Sequence, residues 1–334
     1  MNLIDKLKLA GNKIKSAKKI LLIGHIHPDA DAIASLGAMI EVLQTEGLNF
    51  YAYAANKTGQ GYEFIPNESL INNDQPIWSD FDLVITLDCG SLSRTGLEEE
   101  IREVLVNRMA QAKETPYFIE FDHHEPQDAF ADLEIRLPDK ASTTEIIYHF
   151  LRANNINITK SLATCILIGL LTDTGHFLHA NSSQETIAVS SEMLLLGASL
   201  PKIISHTASS RSFSALKAWG RALENTYFNQ ESGLMISALT KNDLEELLPP
   251  ISLRPDPDLF GDIVSFLSNI KGVQVAVLLR EEQGVVKGSL RTNKSINVVD
   301  IAKKWGGGGH QKAAGFSIKG KLVKKEKGWN VLRK

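Results

Sequence analysis

Three kinds of pattern are scarce or missing in this sequence. Its 2 cysteines, Cys89 and Cys165, lack the spacing of a zinc knuckle and are too few for a disulfide framework. Its apolar runs fall short of the ~18 residues of a membrane span, and residues 1–19 lack the apolar core of a signal peptide. Its net charge of −3 provides no basic field for coating long nucleic acid. We therefore expect a cytoplasmic protein that binds neither a membrane nor a long duplex.

The chain nevertheless has the composition of a folded protein. Hydrophobic residues make up 43% of its 334 residues and charged residues 22%, as is usual for soluble globular proteins. A chain of this length is expected to form two domains. We place a first domain over residues 1–197, a helical connector over 198–225 and a second domain over 226–334.

One short stretch near the start of the chain combines a buried strand with polar side chains. The apolar run at residues 20–23 is typical of a strand buried on both faces of a parallel sheet. After a turn, apolar residues recur at helical spacing over 29–44. His25, Asp29 and Asp31 therefore lie where a buried strand ends and a helix begins. In open α/β sheets, ligand sites form at such ends.

Further strands and helices alternate along the first domain. Strands are predicted over 49–54, 81–87 and 116–121, and helices over 3–16, 97–113, 142–153, 162–171 and 183–197. The acidic and imidazole residues at the ends of these elements are Asp88, Asp122, His123, His124 and Asp173. The alternation predicts an α/β fold with a doubly wound, mainly parallel sheet. We expect the polar residues at the strand ends to lie together at one edge of that sheet.

The second half of the chain has shorter strands and more polar turns, which predicts a smaller α/β domain. Its predicted elements are strands over 234–239, 273–280 and 285–290, a proline-rich loop over 249–257 and a helix over 298–304. The basic end of the chain, residues 319–334, is expected to be a solvated extension.

A run of four glycines, Gly306 to Gly309, precedes His310 in this second half. The run matches neither the Walker phosphate loop nor the dinucleotide-binding pattern. Backbone without side chains still lets a nucleotide approach closely, and its amides can form an anion-binding nest. Arg291 and His310 can add charge-assisted hydrogen bonds to a phosphate.

The acidic residues at the strand ends need a counter-charge. Carboxylates held close together raise one another's pKa strongly unless cations neutralise them. Imidazole and carboxylate ligands without a thiolate suit Mn²⁺, and Mg²⁺, Co²⁺ or Fe²⁺ are alternatives. Two such ions about 3.5–4 Å apart can clamp the oxygens of an in-line phosphoryl displacement. The sequence therefore predicts a site for two divalent metal ions, with Mn²⁺ as the first choice.

Four short motifs in the first half resemble those of the DHH phosphoesterases. They are His25-Ile26-His27-Pro28-Asp29-Ala30-Asp31, Asp88 with Arg94, Asp122-His123-His124, and Asp173-Thr174-Gly175-His176-Phe177. The second half is similar to the DHH-associated C-terminal domain. Its motifs are Ser289-Leu290-Arg291, Asn297-Val298, Gly306 to His310, and Ala313-Ala314-Gly315-Phe316. The resemblance covers nearly the whole chain, and Gln127 departs from it, since an asparagine is expected there.

The resemblance implies a role for each matched residue. One metal ion would be held by His25 and Asp29, and the other by Asp31, His123 and Asp173, with Asp88 bridging both. His124 would face the scissile phosphate, and Asp122 would orient its neighbours. The implied substrate-binding residues are Arg291, Gly307, Gly308, Gly309 and His310.

The resemblance also implies a substrate class. The sequence is most similar to short bacterial members of the family that degrade very short RNAs and dephosphorylate 3′-phosphoadenosine 5′-phosphate. The expected partners are therefore short single-stranded RNA or small nucleotides, and a homodimer is a further option. Hydrolysis of a cyclic dinucleotide or its linear product is an alternative, as is a non-catalytic nucleotide sensor. A pyrophosphatase is a weaker alternative, since its second domain lacks the glycine–histidine signature.

Three other histidines lie within or beside these motifs. His27 is expected outside the set of metal ligands, near them or facing solvent. His176 and His179 neighbour Asp173, but the motif leaves that position variable. For these two, contact with a substrate is the less favoured interpretation.

Overall fold

The chain forms two compact units, Met1–Ser210 and Arg211–Lys334. The computed structural model describes residues 1–58, 61–109, 115–126, 129–179, 181–207, 213–248, 259–326 and 328–332. The predicted proline-rich loop and Gln127 lie outside these residues. We refer to the two bodies as the first unit and the second unit.

The first unit is built on a six-stranded parallel sheet. Its strands are β1 (Lys19–Gly24), β2 (Asn49–Tyr53), β3 (Ile71–Asn72), β4 (Leu83–Leu87), β5 (Tyr117–Asp122) and β6 (Leu133–Arg136). Their spatial order is β3-β2-β1-β4-β5-β6, and each neighbouring pair is parallel. The order runs outward in both directions from β1 and β4, which confirms the predicted doubly wound sheet.

Helices cover both faces of this sheet. They are α1 (Leu3–Ser16), α2 (Ala30–Thr45), α3 (Glu98–Met109), α4 (Thr143–Ala153), α5 (Lys160–Asp173), α6 (Gln184–Leu195) and α7 (Leu200–Thr207). One face packs residues such as Ile20, Leu22 and Phe121 against α1, α2, α4 and α5. The other face packs residues such as Leu21, Ile23 and Phe118 against α3. Burial on both faces explains the continuous apolar runs of the central strands.

The second unit contains a mixed six-stranded sheet and smaller helices. Its elements are α8 (Phe213–Glu224), β7 (Tyr227–Asn229), β8 (Leu234–Leu239), α9 (Lys241–Leu247), α10 (Leu259–Ser268), β9 (Val275–Glu282), β10 (Val285–Arg291), α11 (Val298–Lys303), β11 (Gly308–His310), β12 (Ala313–Lys319), β13 (Lys321–Lys325) and β14 (Gly328–Leu332). The strand order is β11-β12-β10-β9-β8-β7. Only the β8–β9 pair among these described strands is parallel. This is the smaller α/β domain that the sequence predicts.

The basic end of the chain is folded, so the expectation of a solvated extension was wrong. β12 continues to Lys319, and β13 and β14 pair as an antiparallel hairpin. Leu322 and Trp329 of this hairpin are buried in a cluster with Val286 and other residues of the sheet. Lys321, Lys324 and Lys325 of β13 are exposed while Leu322 packs inward, so a high local charge is compatible with a strand here.

The segment between the two predicted domains is divided between the units. Ile203 of α7 packs in the core of the first unit, whereas Ala215 and Ala218 of α8 pack in the second. The boundaries predicted at residues 197 and 225 stay a prediction. Among the described helices, none is by itself long and apolar enough to cross a membrane. α6 and α7 reach that length only as a pair bent by 114°.

Candidate active site

The carboxyl edge of the parallel sheet carries the polar residues of the first unit. His25 follows β1, Asp88 follows β4, and Asp122 ends β5 just before His123 and His124. Two helices complete the set: Asp29 caps the start of α2, Asp31 lies in the first turn of that helix, and Asp173 ends α5. Three groups of possible metal ligands form there, namely His25/Asp29/Asp88, Asp31/His123/Asp173 and Asp88/His123/His124.

The first group is centred on the buried ring of His25. Its Nδ1 lies 2.7 Å from the Ile26 carbonyl oxygen, so this nitrogen is the donor and Nε2 carries the lone pair. Nε2 lies 3.6 Å from Asp29 Oδ2 and 3.7 Å from Asp88 Oδ2. It is buried, and among the residues that the structure describes it has no hydrogen-bond partner. A buried nitrogen lone pair that faces two carboxylates fits a bound cation.

The second group brings His123 against Asp173 and Asp31. His123 Nε2 lies 3.2 Å from Asp173 Oδ2. Asp31 is fully buried, and its oxygens accept hydrogen bonds from the amides of Thr143 at 2.7 Å and Thr144 at 3.2 Å. Burial lowers the pKa of His123 to about 4, which leaves the ring neutral and able to act as a ligand at neutral pH.

Asp88 belongs to two of the three groups and lies between them. It adopts a left-handed backbone with φ 61°, and its Oδ1 accepts a hydrogen bond of 2.9 Å from the Thr143 hydroxyl. The same oxygen is 3.5 Å from His123 Nε2. Burial and the negative charges of nearby aspartates raise the pKa of Asp88 well above its usual value.

The same causes, burial first and then the charge of Asp29, raise the pKa of Asp31 to about 7. This concentration of buried carboxylates would be stabilised by positive charge. Divalent cations would supply that charge, and the donors are imidazole and carboxylate, a set that suits Mn²⁺, Mg²⁺ or Co²⁺. The neighbouring Cys89 is buried and its Sγ lies 3.7 Å from the Ile23 carbonyl oxygen, away from the three groups. The residues present fit a divalent metal centre.

His124 is held at the border of this centre by Asp122. Asp122 Oδ1 accepts hydrogen bonds of 2.8 Å from both the backbone amide and Nδ1 of His124. Arg94 Nη1 lies 3.3 Å from His124 Nε2. Gly90 permits this approach, because a Cβ there would lie 3.0 Å from Arg94 Nη1 and 3.3 Å from His124 Cγ. An imidazole and a guanidinium therefore stand together beside Asp88.

The second unit holds the residues predicted to bind substrate. Gly308 and Gly309 lie in β11 opposite Gly315 and Ala314, and a Cβ on Gly307 would lie 2.0 Å from the Gly315 oxygen. Only glycine fits at position 307. Arg291 ends β10, where its Nη1 donates to the Leu290 carbonyl. The side chain of His310 lies outside the described part of the structure.

A cavity of about 390 Å³ opens beside this glycine loop. It is lined in part by Arg280, Lys287, Ser289, Gly307 and Ser317. Of the residues predicted to bind substrate, Gly307 is part of this lining, whereas Arg291, Gly308 and Gly309 are not. The sequence analysis missed Arg280 and Lys287, which lie opposite each other on the paired strands β9 and β10.

The three additional histidines lie outside the three ligand groups. His27 is exposed, and its backbone amide donates to Asn56. His176 Nε2 lies 3.1 Å from the Thr207 hydroxyl, and His179 Nδ1 lies 3.2 Å from the backbone oxygen of Asp173.

The sequence analysis also missed Thr143 and Thr144, whose backbone amides hold Asp31. Amides at the first turn of a helix are a general anion-binding feature.

Comparison with known proteins agrees with the motifs. The family model described as "DHH family, N-terminal domain" matches residues 19–170, and that of the "DHHA1 domain" matches residues 251–328. The bifunctional oligoribonuclease and PAP phosphatase NrnA of Thermus thermophilus is 28% identical over 95% of this chain and 89% of its own length. The Bacillus subtilis protein of the same name is 22% identical over 90% of this chain and 89% of its own length.

A solved structure shares the fold of the whole chain. The exopolyphosphatase-related protein from Bacteroides fragilis superposes with a TM-score of 0.80 at 24% sequence identity. The superposition covers 95% of this chain and 92% of that protein. Both domain models match in order along the chain, and the relatives align with it over nearly their full length. This chain therefore belongs to the DHH family of phosphoesterases and carries a DHHA1 domain.

Proposed function

We propose that this protein is a metal-dependent phosphoesterase that hydrolyses very short RNA oligonucleotides and 3′-phosphoadenosine 5′-phosphate. The single observation that carries the proposal is the linkage of the three ligand groups, two of which share Asp88 and two of which share His123. Within the described residues, the buried Nε2 of His25 in the first group has no hydrogen-bond partner. The substrates are those in the names of the Thermus and Bacillus relatives. Two free, buried cysteines suit the reducing cytoplasm, which we propose as the compartment.

Two divalent ions, with Mn²⁺ as our first choice, are proposed to bind the first unit. One would be held by His25 and Asp29, the other by Asp31, His123 and Asp173, and Asp88 would contact both. When bound, such ions supply a nucleophile at neutral pH and neutralise charge on the phosphoryl oxygens. The amides of Thr143 and Thr144 would keep Asp31 oriented, since they bind both of its oxygens.

His124 and Arg94 are proposed to contact the phosphate that is cleaved. One oxygen of Asp122 accepts hydrogen bonds from both the backbone amide and the ring Nδ1 of His124, so the ring keeps one orientation. The guanidinium of Arg94 beside Nε2 adds a permanent positive charge. Together these side chains can stabilise the negative charge that develops on the phosphoryl oxygens in the transition state.

The second unit is proposed to bind the rest of the nucleotide. Gly307, Gly308 and Gly309 carry no side chains that would keep a phosphate or ribose from the backbone, and Arg291 supplies charge at the end of β10. The Gly307 amide itself donates to the Ala302 carbonyl at 3.0 Å. We keep His310 in this set on the strength of its motif. Because the chain carries a net charge of only −3 and no broad basic field, its affinity depends on a few local contacts. A short substrate can satisfy all of these contacts.

The experiment is one assay with Mn²⁺ against a panel of substrates. The panel holds a short RNA, a long structured RNA, 3′-phosphoadenosine 5′-phosphate, a linear and a cyclic diadenylate, and pyrophosphate. We expect turnover of the short RNA and of 3′-phosphoadenosine 5′-phosphate, with higher kcat/KM on the short RNA than on the long one. Exclusive hydrolysis of a cyclic dinucleotide or of pyrophosphate would contradict the proposal. Binding of nucleotides without turnover by metal-loaded protein would identify a sensor instead.

A further inference from the structure

Arg136 lies outside the sequence motifs described above, but its guanidinium contacts the loops that carry Asp88 and His124. Arg136 is the last residue of β6, paired in register with Asp122 of β5. Its side chain is only 5% exposed, and that of its partner Glu120 is 1% exposed. A buried arginine is uncommon unless it is paired and hydrogen-bonded. The partners of its guanidinium donors therefore indicate why it is buried here.

One side of the guanidinium binds a carboxylate within the sheet. Arg136 Nη2 donates to Glu120 Oε1 at 2.5 Å, and Nε donates to Glu120 Oε2 at 3.2 Å. This two-point contact fixes the plane of the guanidinium as well as its position. Glu120 also supplies the negative charge that allows the arginine to be buried.

The other side of the guanidinium binds backbone oxygens of two site loops. Nη1 donates to the carbonyl oxygens of Gly90 at 3.0 Å and Glu125 at 3.2 Å, with that of His124 at 3.5 Å. Gly90 lies two residues after Asp88, and its amide donates to Asp122 Oδ2. Arg136 therefore connects the loop after β4, which carries Asp88, to the loop after β5, which carries His123 and His124.

We propose that Arg136 is a positioning residue for the phosphoesterase reaction: it fixes the loop of His124 against the loop of Asp88, with Glu120 orienting its guanidinium. The inference rests on the proposed function, because its readout is phosphoester hydrolysis. Arg136 does not touch the proposed substrate position. Its effect passes through the backbone of the two loops, including Gly90, which lies beside the ring of His124 and the guanidinium of Arg94.

A purely structural role makes a different prediction. Replacing a buried ion pair by apolar side chains of similar volume is often neutral or stabilising for the fold. Such a replacement would leave the β5–β6 packing intact while removing the hydrogen bonds that Arg136 donates to Gly90, His124 and Glu125. Stability and catalysis can therefore be separated at this pair.

The test is the double variant Glu120→Met/Arg136→Met in the full chain, with Arg102→Met as a control. Arg102 forms an exposed ion pair with Glu98 on α3, away from the site. We expect the double variant to keep the melting temperature and the bound Mn²⁺ count of the wild type. Its kcat on the short RNA should fall about 10–100-fold with KM nearly unchanged, the scale of losing a group that orients site residues. The control should match the wild type throughout.

Arg136→Lys keeps the test decisive if the double variant does not fold. A lysine can neutralise Glu120 but lacks the planar fork that reaches two loops at once. We expect a folded, metal-loaded protein with lowered kcat. Wild-type kcat in either folded variant would overturn the inference. An inactive wild-type enzyme would instead count against the proposed function, so the two failures are distinguishable.

Discussion

The two units present their polar groups in opposite ways. In the first unit, the side chains of Asp31, Asp88 and Asp122 are almost completely buried and each is hydrogen-bonded to neighbouring backbone or side chains. In the second unit, Gly308 is exposed, and half of the Lys287 side chain is open to solvent. The first unit therefore holds its charged side chains in fixed positions, whereas the second leaves glycine backbone and part of a lysine side chain exposed.

This difference separates two kinds of chemical task. Groups that act on a transition state must be held in place, because reorganising them during the reaction is costly. Groups that only bind a substrate can be exposed, since binding itself orders them. Substitutions in the first unit should therefore change kcat and metal content, and those in the second unit should change KM or the stability of that unit.

The largest effect is expected from Asp88→Asn. Asparagine tolerates the left-handed backbone of this position, so the fold should survive. The loss of the carboxylate charge between the ligand groups should abolish turnover on every substrate and lower the number of bound metal ions. Metal analysis and circular dichroism beside the assay check this. Rates like those of the wild type would remove the two-metal proposal.

Substitution of His123 and substitution of His124 should lower activity for different reasons. His123→Ala should lose a metal ion, because its Nε2 faces Asp173 and Asp88. His124→Ala should keep the metal content but lose about 10²–10³-fold in kcat, the scale of removing one transition-state donor. Calorimetric titration with Mn²⁺ distinguishes the two variants. Full metal occupancy in both would show that the assigned roles are wrong.

A smaller effect, on binding alone, is expected from Arg291→Ala. A hydrogen bond between charged groups contributes about 1.5–3 kcal/mol, or one to two powers of ten in affinity. KM for the short RNA should rise by about that factor, while a small artificial phosphodiester and the metal content should be unaffected. Lys321→Ala, on the exposed start of β13, is a matched control for charge. Equal losses on natural and artificial substrates would assign Arg291 to the chemical step.

The smallest effect should follow Trp329→Phe in the terminal hairpin. The Trp329 indole donates to the Asn225 carbonyl at 2.8 Å, and its removal should destabilise the second unit by about 1–2 kcal/mol. Phenylalanine keeps most of the apolar contact with the cluster around Leu322. Calorimetry should show a lower transition temperature, with unchanged hydrolysis of the artificial substrate. A fall in metal content would contradict the assignment of metal binding to the first unit alone.

The first unit was more predictable from sequence than the second. Its apolar runs at residues 20–23, 81–87 and 116–121 are each followed by an acid or a histidine, and they predict both the sheet and the edge where the site lies. β6 escaped prediction because Leu133–Arg136 is only four residues long, with little periodicity to recognise. One signal was present: Glu120 lies inside an apolar run, and a charge in a buried strand requires a partner. That partner is Arg136.

The terminal hairpin escaped prediction for a different reason. In residues 321–325, three lysines surround Leu322 and Val323, and composition alone favours solvent. What decides the structure is packing of Leu322 and Trp329 against Val286 and Leu279, which are distant in sequence. The positions of Arg280 and Lys287 beside the glycine loop likewise depend on the register of β9 with β10. Neither can be obtained from local patterns.

The left-handed backbone at Asp88 also limits how this enzyme can evolve. Glycine, asparagine and aspartate are the residues that accept such a conformation readily, and of these only aspartate carries a charge. A glutamate would keep the charge but strain the backbone, and a glycine would relax the backbone but lose the charge. Every single substitution therefore sacrifices one of the two requirements. A lineage that replaces aspartate at this position would therefore pass through an inactive intermediate. This favours loss of the enzyme over a gradual change of its metal centre.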